Sequence, residues 1–423
     1  MNSFAPWKVL HIELSEDIPV LRVEPKYQGI YAVFWWCGIP LAHEEISAVN
    51  LPMSATQLVN LAVQKITPAV GDRLLNHGFK APLAGMSQNP SRDTPPEFQS
   101  LIALEQPLQK LQEHSLQSVS ASVSVVVCTR NRPEQLVRCL RSLQKLSPSP
   151  QQIIVVDNAP SDDATRQLVA QMPGIQYVLE SRPGLSVARN TGIRHSTGDI
   201  IAFTDDDVEV HPDWIARLQQ SFENPKVMAV TGLVLPGELE TESQVAFEKG
   251  FGGFNRGYRV LTFDSQFFEE MKSRGVPVWY IGAGANMAFQ RQVFERVGYF
   301  DERLGAGASG CSEDSEFWYR ILAEGWFCRY EPTAVVYHYH RSDLDKLKQQ
   351  MYQYMRGHVA ALLIQFARYN HWGNLHRLFV ALPKYYTRRF LSGLFKDLTL
   401  FNKMLFVEVL GCFSGVKYYL QNK

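Results

Sequence analysis

Several things are missing from this chain of 423 residues. It has no net charge, because 42 Lys and Arg stand against 42 Asp and Glu. That balance excludes a global field for nucleic acid or for an anionic membrane. It has no C-x-x-C pair: Cys37, Cys128, Cys139, Cys311, Cys328 and Cys412 are scattered, without zinc-type spacing. Such cysteines read as reduced, mostly buried thiols. No window reaches the roughly eighteen uninterrupted apolar residues of a membrane span. The nearest approach, "MLFVEVLGCFSGV", is shorter and contains Glu408. The opening "MNSFAPWKVLHIELSEDIPV" lacks the basic-then-apolar pattern of a signal peptide. These absences together predict a cytoplasmic protein.

What is present divides the chain into three. Residues 1–115 read as a small α+β unit of unknown role, with a strand, a Gly-Ile-Pro turn and a second strand in "IYAVFWWCGIPLAHEEISAV" and a helix from Ala55 to Leu75. "GMSQNPSRDTPPEFQS" reads as a linker, being rich in Pro, Ser, Asn and Asp without periodicity. Residues 116–340 change texture. "SVSVVVCTR" is the continuous β-branched run of a strand buried on both faces. A helix with Pro133 in its first turn and a Leu136, Leu140, Leu143, Leu146 stripe follows. Strands and helices then alternate through "QIIVVDN", "SDDATRQLVAQM", "IQYVLES", "LSVARNTGIRHS" and "DIIAFTDDD". This alternation predicts an α/β fold, a mostly parallel sheet with helices on both faces. Residues 235–278 look irregular and glycine-rich, as suits a mobile segment near a site. Residues 341–423 read as helical, basic and aromatic, with thirteen Lys and Arg against four acids, a balance of +9.

Ligands of wound sheets bind outside the carboxyl ends of the strands. Four strand ends here are polar: Thr129-Arg130-Asn131, Asp157-Asn158, Glu180-Ser181-Arg182 and Asp205-Asp206-Asp207. Three adjacent carboxylates repel one another unless a cation joins them, and hard oxygen ligands favour Mg²⁺ or Mn²⁺. The plainer alternative is an acidic turn in which Asp207 or Asp213 caps the next helix. Asp157 can accept the imide N–H of a uracil ring or cap a helix near Ser161. Arg189 can neutralise a phosphate or form an ordinary surface pair. In "LGAGASGCSEDSEFW", Gly305, Gly307 and Gly310 spell G-x-G-x-x-G, but a helix end and a polar turn precede them rather than a buried strand, so a dinucleotide cradle is not expected. Ser312 suits an N-cap, with Glu313, Asp314 and Glu316 in the first helical turn.

Six stretches in order, "VVVCTRNRPEQLVRCLRSL", "IIVVDN", "RPGLSVARNTGI", "TGDIIAFTDDDVEVHPDWI", "CSEDSEFWYRILAEGW" and "YEPTAVVYHYHR", resemble the inverting family-2 glycosyltransferases of GT-A fold. The resemblance covers about residues 122–340. It implies Thr129, Arg130 and Asp157 around a nucleotide base, with Arg189 nearby and Asn131 and Asp206 on the same nucleotide-sugar rim. It implies a D-x-D pair, Asp205 toward ribose or metal and Asp207 on the metal. Asp314, with its neighbour Glu313 counted as catalytic, would supply the general base. His338 or His340 would face the diphosphate or metal. The implied activity is an inverting, metal-dependent transfer of a sugar from a UDP-, GDP- or dTDP-sugar to an acceptor hydroxyl, with Mn²⁺ or Mg²⁺ as cofactor. A saccharide or lipid-linked acceptor in cell-surface polysaccharide or glycolipid synthesis follows, and no nucleic acid.

Two departures matter. Ser312 stands where a glycine often precedes the Glu-Asp pair. "QYMRG" lacks the tryptophan of the Q-x-x-R-W found in processive synthases, which favours single addition. The basic aromatic tail suits either peripheral contact with the anionic inner face of the cytoplasmic membrane or ordinary packing on the catalytic domain. Two other functions compete. A sugar-1-phosphate nucleotidyltransferase would want a glycine-rich loop after the first strand, where this chain has "CTRNRPEQ". A non-catalytic sugar-nucleotide-binding protein would have no need of Asp157, Asp205, Asp207 and Asp314 together.

Overall fold

The structure, a computed structural model, describes residues 4–76, 108, 121–393 and 400–423. The expected linker and the boundary at 115/116 lie outside these residues. At the N-terminus, β1 (Trp7–Glu13), β2 (Gly29–Trp36) and β3 (Ile39–Ser47) form a three-stranded sheet, followed by α1 (Ala55–Asn76). β1 has no counterpart in the sequence reading, and it pairs parallel to β2. The β2–β3 turn is Cys37-Gly38 rather than Gly-Ile-Pro. Both turn residues have positive φ (47° and 74°), as a two-residue hairpin requires, and Ile39 and Pro40 already lie in β3. Glu13 accepts the backbone N–H groups of Cys37 and Gly38 at 2.9 and 3.2 Å.

The second sheet is built from β4 (Val123–Thr129), α2 (Pro133–Leu143), β5 (Gln152–Asn158), α3 (Ala164–Ala170), β6 (Ile175–Glu180), α4 (Leu185–His195) and β7 (Ile200–Asp205). It continues with β8 (Val208–Val210), α5 (Trp214–Gln220), β9 (Val227–Pro236), α6 (Glu242–Val245), β10 (Leu261–Phe263), α7 (Ser265–Lys272), β11 (Asn286–Gln290), α8 (Gln292–Arg296), α9 (Glu313–Ala323) and β12 (Phe327–His338). The strand order is β10-β12-β9-β11-β7-β4-β5-β6, with β8 beside β12. β4, β5, β6 and β7 are mutually parallel, as expected. β9 and β12 are also parallel, while β8, β10 and β11 run antiparallel to their neighbours. The stretch 235–278, expected to be irregular, carries the end of β9 and then α6, β10 and α7.

Alternation along β4 explains its apolar run. Val126 packs with Ala188 and Ile193 of α4 on one face, and Val123, Val125 and Val127 pack with Leu136, Leu140 and Leu143 of α2 on the other. Each such burial contributes about 1.5–3 kcal/mol. One buried amide ties the second half together. Asn286 donates to the carbonyls of Leu233 and Ala334 at 3.0 and 2.8 Å and accepts the Trp214 indole N–H at 2.9 Å. Those bonds fix the register shift in β12 between Glu331 and Val335, and so the position of His338 at its end.

The N-terminal sheet shares a core with this domain. The Trp7 N–H donates to the Leu239 carbonyl at 2.9 Å, the Trp35 ring stacks on His211 at 5.4 Å, and Arg73 pairs with Glu331 at 3.6 Å. On the other side, α10 (Leu344–Tyr369), α11 (Trp372–His376), α12 (Leu382–Gly393) and α13 (Leu400–Gln421) follow β12. α13 lies along α10 closely enough that a Cβ at Gly411 or Gly415 would stand 2.5 Å from the carbonyl oxygen of Tyr352 or Arg356. Among the described residues no helix is long and apolar enough to cross a membrane.

Candidate active site

The parallel ladder brings the polar strand ends together, with Thr129 opposite Asp157 and Cys128 opposite Asp205. Strand order reverses at β4, whose neighbours are β5 and β7. Beside that switch point opens a cleft of about 1160 Å³.

Asp205, Asp207 and His338 can each place a ligand atom within 4.8 Å of the others. His338 Nε2 is 3.3 Å from Asp207, and its Nδ1 is buried without a partner. Burial, reinforced by the neighbouring His340, pushes the His338 imidazole down to about 3, so it is neutral and able to ligate. Two carboxylates and a neutral imidazole form a donor set that fits a divalent cation. Of the two histidines, His338 meets the acidic cluster, while His340 turns to Glu248 at 3.3 Å.

Asp206 points the other way. It accepts the Thr129 hydroxyl at 2.8 Å and Arg132 at 3.0 Å, and burial followed by repulsion from Asp207 pushes it up to about 7. Arg132 also reaches Asp207 at 3.1 Å. Thr129 and Asp206 therefore satisfy each other at the base of the rim. Arg130 is exposed on the cleft wall. Asn131, at φ 55°, accepts the Ser161 N–H at 2.9 Å. Asp157 is fully buried, with one oxygen accepting the Tyr177 hydroxyl at 2.9 Å and the other without a partner. It caps no helix, and burial raises its pKa. Asp213, at the start of α5, also makes no side-chain cap.

Arg189 is not a surface pair. It is 2% exposed, bonds Glu313 at 2.5 Å and lies 3.5 Å from Asp205. One guanidinium thus joins the cation cluster to the first turn of α9. Glu313 is engaged there, and burial pushes it up to about 7 against the pull of Arg189. Asp314 lines the cleft, with one oxygen accepting the Ser315 N–H at 2.6 Å. Gly284 leaves room for both groups, since a Cβ there would meet Arg189 at 2.9 Å and Asp314 at 3.1 Å. Glu316 pairs with Arg320 at 2.9 Å inside the core, away from the cleft.

Ser312 occupies the N-cap position of α9 but makes no cap. Its φ of 71° is left-handed, a conformation that glycine adopts freely, and this accounts for a position where glycine would be at home. The preceding loop is pinned rather than loose. Leu185 N–H donates to the Ala306 carbonyl at 2.9 Å, Ser186 hydroxyl to the Leu304 carbonyl at 2.7 Å, and Gly310 N–H to the Gly305 carbonyl at 2.8 Å. Gly310, at φ 113°, lies against the Gln353 main chain of α10. These glycines carry the chain to Asp314, and Gly307 and Gly310 line the cleft.

The sequence profile described as Glycosyl transferase family 2 matches residues 124–298. Residues 124–298 form a family-2 glycosyltransferase domain. This glycosyltransferase domain holds Thr129, Asp157, Arg189, Asp205 and Asp207, while Asp314 and His338 lie beyond the matched stretch. The chain is 28% identical over 193 residues to a glucosyl-dolichyl phosphate glucuronosyltransferase of Haloferax volcanii, covering 43% of this chain and 57% of that protein. It is 30% identical over 232 residues to a pre-mycofactocin glycosyltransferase of Mycobacterium tuberculosis, covering 52% of this chain and 43% of that one. The chain thus spans about half the length of these curated relatives. A mannosyltransferase from Pyrobaculum calidifontis, solved with GDP-Man and Mn²⁺, aligns over 86% of this chain and 99% of its own at 16% identity and a TM-score of 0.45.

Arg132 was not singled out from the sequence, and Asn158 was named only as part of a polar strand end, with no role of its own. Asn158 accepts the Gly184 N–H at 2.9 Å and donates to the Arg182 carbonyl at 2.7 Å, holding the turn into α4. Its place at a strand end beside Asp157 was the available signal. Arg132 had only its proximity to Pro133.

Proposed function

We propose that this chain is an inverting glycosyltransferase that moves a sugar from a nucleoside-diphosphate sugar to an acceptor hydroxyl, in the synthesis of a cell-surface polysaccharide or glycolipid. The observation that carries this reading is Arg189, which spans from Asp205 in the cation cluster to Glu313, next to Asp314. Donor-side charge and an acceptor-side carboxylate are thereby held at a fixed separation. Asp314 takes the proton of the acceptor hydroxyl while that oxygen attacks the anomeric carbon opposite the departing nucleoside diphosphate. The bond from the anomeric carbon to the diphosphate breaks as the new glycosidic bond forms. Asp205, Asp207 and His338 would hold Mn²⁺ or Mg²⁺, which supplies charge compensation to the leaving diphosphate. The free oxygen of buried Asp157 accepts a ring N–H of the base, and Glu313 keeps Arg189 in place.

The test is Asp314→Asn. Transfer should fall by roughly 10²–10⁴-fold, while the thermal shift produced by UDP, GDP or dTDP with Mn²⁺ persists. Near-normal turnover by that variant sinks the assignment of the base. Loss of nucleotide stabilisation on adding EDTA checks the cation.

Peripheral membrane contact is part of the proposal. Along α13, Phe406, Leu410, Phe413 and Leu420 are exposed, at 69%, 45%, 71% and 61%. Their spacing makes one stripe, broken only by exposed Lys417 and facing away from Gly411 and Gly415. A helix apolar on both faces wants a second apolar partner. Exposed Lys384 and Arg388 on neighbouring α12 match an anionic bilayer.

A further inference from the structure

The cleft contains two guanidinium groups, those of Arg256 and Arg377, that make no ion pair with any described residue. Arg256 follows the glycine-rich turn after α6. Its guanidinium makes long hydrogen bonds, both 3.5 Å, to the carbonyls of Gly253 and Asn255. Arg377 lies over the Trp279 ring at 4.2 Å, between α11 and α12. The Nε of each is buried without a partner, and neither forms an ion pair with any described residue. Deeper in the cleft Arg189 holds Glu313 and Arg132 holds Asp206, while Arg130, exposed on the wall, and Arg341, bonded at 3.5 Å to the Lys346 carbonyl, likewise form no ion pair with a described residue. Arg256 and Arg377 are half-buried, and part of the cost of holding such a cation without a paired counter-charge is recovered when an anion enters.

The two groups share a neighbourhood. Arg256 lies in the electrostatic field of Asp314 and Tyr280, and Arg377 in that of Tyr280, Tyr385 and Tyr386. Asp314, Arg256, Tyr280, Arg377 and Tyr385 all line the one cleft. Leu382, Tyr385 and Tyr386 of α12 line the outer cleft, and Tyr385 is also 50% exposed. Phe379, Val380, Phe390 and Leu391 stand exposed on either side of it in sequence. A charged pocket therefore opens onto an apolar mouth.

We propose that Arg256 and Arg377 form a subsite for a phosphate group carried on a hydrocarbon chain, the anionic part of the acceptor. With a sugar hydroxyl at Asp314, the phosphate meets the two guanidiniums and the chain leaves past Leu382 and Tyr385 toward the exposed apolar residues. Guanidinium groups suit phosphate because their donors match its oxygens in pairs. This deepens the reading under Proposed function and rests on it for the direction of the acceptor.

Isothermal titration of the full chain tests it, with the donor side saturated by Mn²⁺ and whichever of UDP, GDP or dTDP stabilises the protein most. Farnesyl phosphate below its micelle concentration should bind at least tenfold tighter than farnesol and than inorganic phosphate. The double variant Arg256→Gln, Arg377→Gln should lose that advantage over farnesol while still binding nucleotide. Equal affinity for farnesol and farnesyl phosphate overturns the subsite, as does an unchanged advantage in the double variant. Inorganic phosphate binding as tightly as farnesyl phosphate overturns the hydrocarbon part. If the double variant does not fold, Arg256→Lys and Arg377→Lys singly replace it. Each keeps charge but loses the paired donors, so each should weaken farnesyl phosphate by several-fold, and no change in either overturns the subsite. Nucleotide binding in the starting titration is scored separately, so failure of the donor reading is told apart from failure of this one.

Discussion

A single arginine carries much of the site's geometry at the residue scale. Arg189 and Glu313 meet in a place almost closed to water, with half-buried Asp205 beside them, so removing Arg189 leaves the Glu313 carboxylate buried without compensation. Breaking such a buried pair costs about 3–5 kcal/mol. Arg189→Met should therefore lower the melting temperature substantially and remove transfer, whereas an exposed pair such as Lys348–Asp345 should tolerate alanine within about 0.5 kcal/mol. Glu313 adds a pH signature. Burial pushes its carboxyl up to about 7, well above the ordinary glutamate value near 4.5. In the metal-free protein the folded state holds a proton that the unfolded chain has released. The resulting stability is fully present below about 4.5 and is lost as pH rises through about 7. Denaturant melts across that range should show stability declining with pH, and Glu313→Gln should flatten the slope. An identical slope in the variant would mean another group is responsible.

At the scale of elements, the loop from Leu304 to Ser312 and its seat on α10 determine where Asp314 stands. A methyl group at Gly310 would meet Gln353 Cβ at 2.8 Å and its carbonyl oxygen at 3.0 Å, at a φ of 113° that alanine resists. Gly310→Ala should cost about 1–3 kcal/mol in strain and lower turnover more than nucleotide affinity. Ser312→Gly should be neutral to mildly stabilising, by up to about 1 kcal/mol, and Ser312→Val should destabilise; circular-dichroism melts of the three separate these outcomes. The rim of the site was legible because local pattern suffices there. A both-faces-buried strand such as "SVSVVVCT" can only be central in a wound sheet, and polar residues at its carboxyl end can only face the crevice. The assembly of β8 to β12 was not legible. The seat of His338 depends on Asn286 bonding Leu233 and Ala334, residues 53 and 48 positions away. Arg256 and Arg377 were invisible for a related reason. An arginine without a partner looks in sequence like one with a partner, and only packing shows which acids are absent.

For the whole molecule, the zero charge balance conceals a division, since the last eighty-three residues carry +9 and also the exposed apolar stripe of α13. Phe406→Asp with Phe413→Asp should abolish co-sedimentation with phosphatidylglycerol vesicles while leaving nucleotide binding intact. Binding of the unaltered chain should weaken as salt rises, because the basic contribution is screened beyond about 10 Å at 0.1 M. Equal sedimentation by the double variant would assign the stripe to something other than lipid, and a shift from dimer to monomer in light scattering would assign it to a second copy. The cleft mouth at Tyr385, charged within and apolar at its rim, has a kinetic consequence. An enzyme that draws its acceptor through such a mouth searches a plane rather than a volume. Its rate then follows the mole fraction of acceptor among the lipids and not the amount in the tube. Diluting a fixed quantity of lipid-borne acceptor with inert neutral lipid should slow turnover at constant bulk concentration.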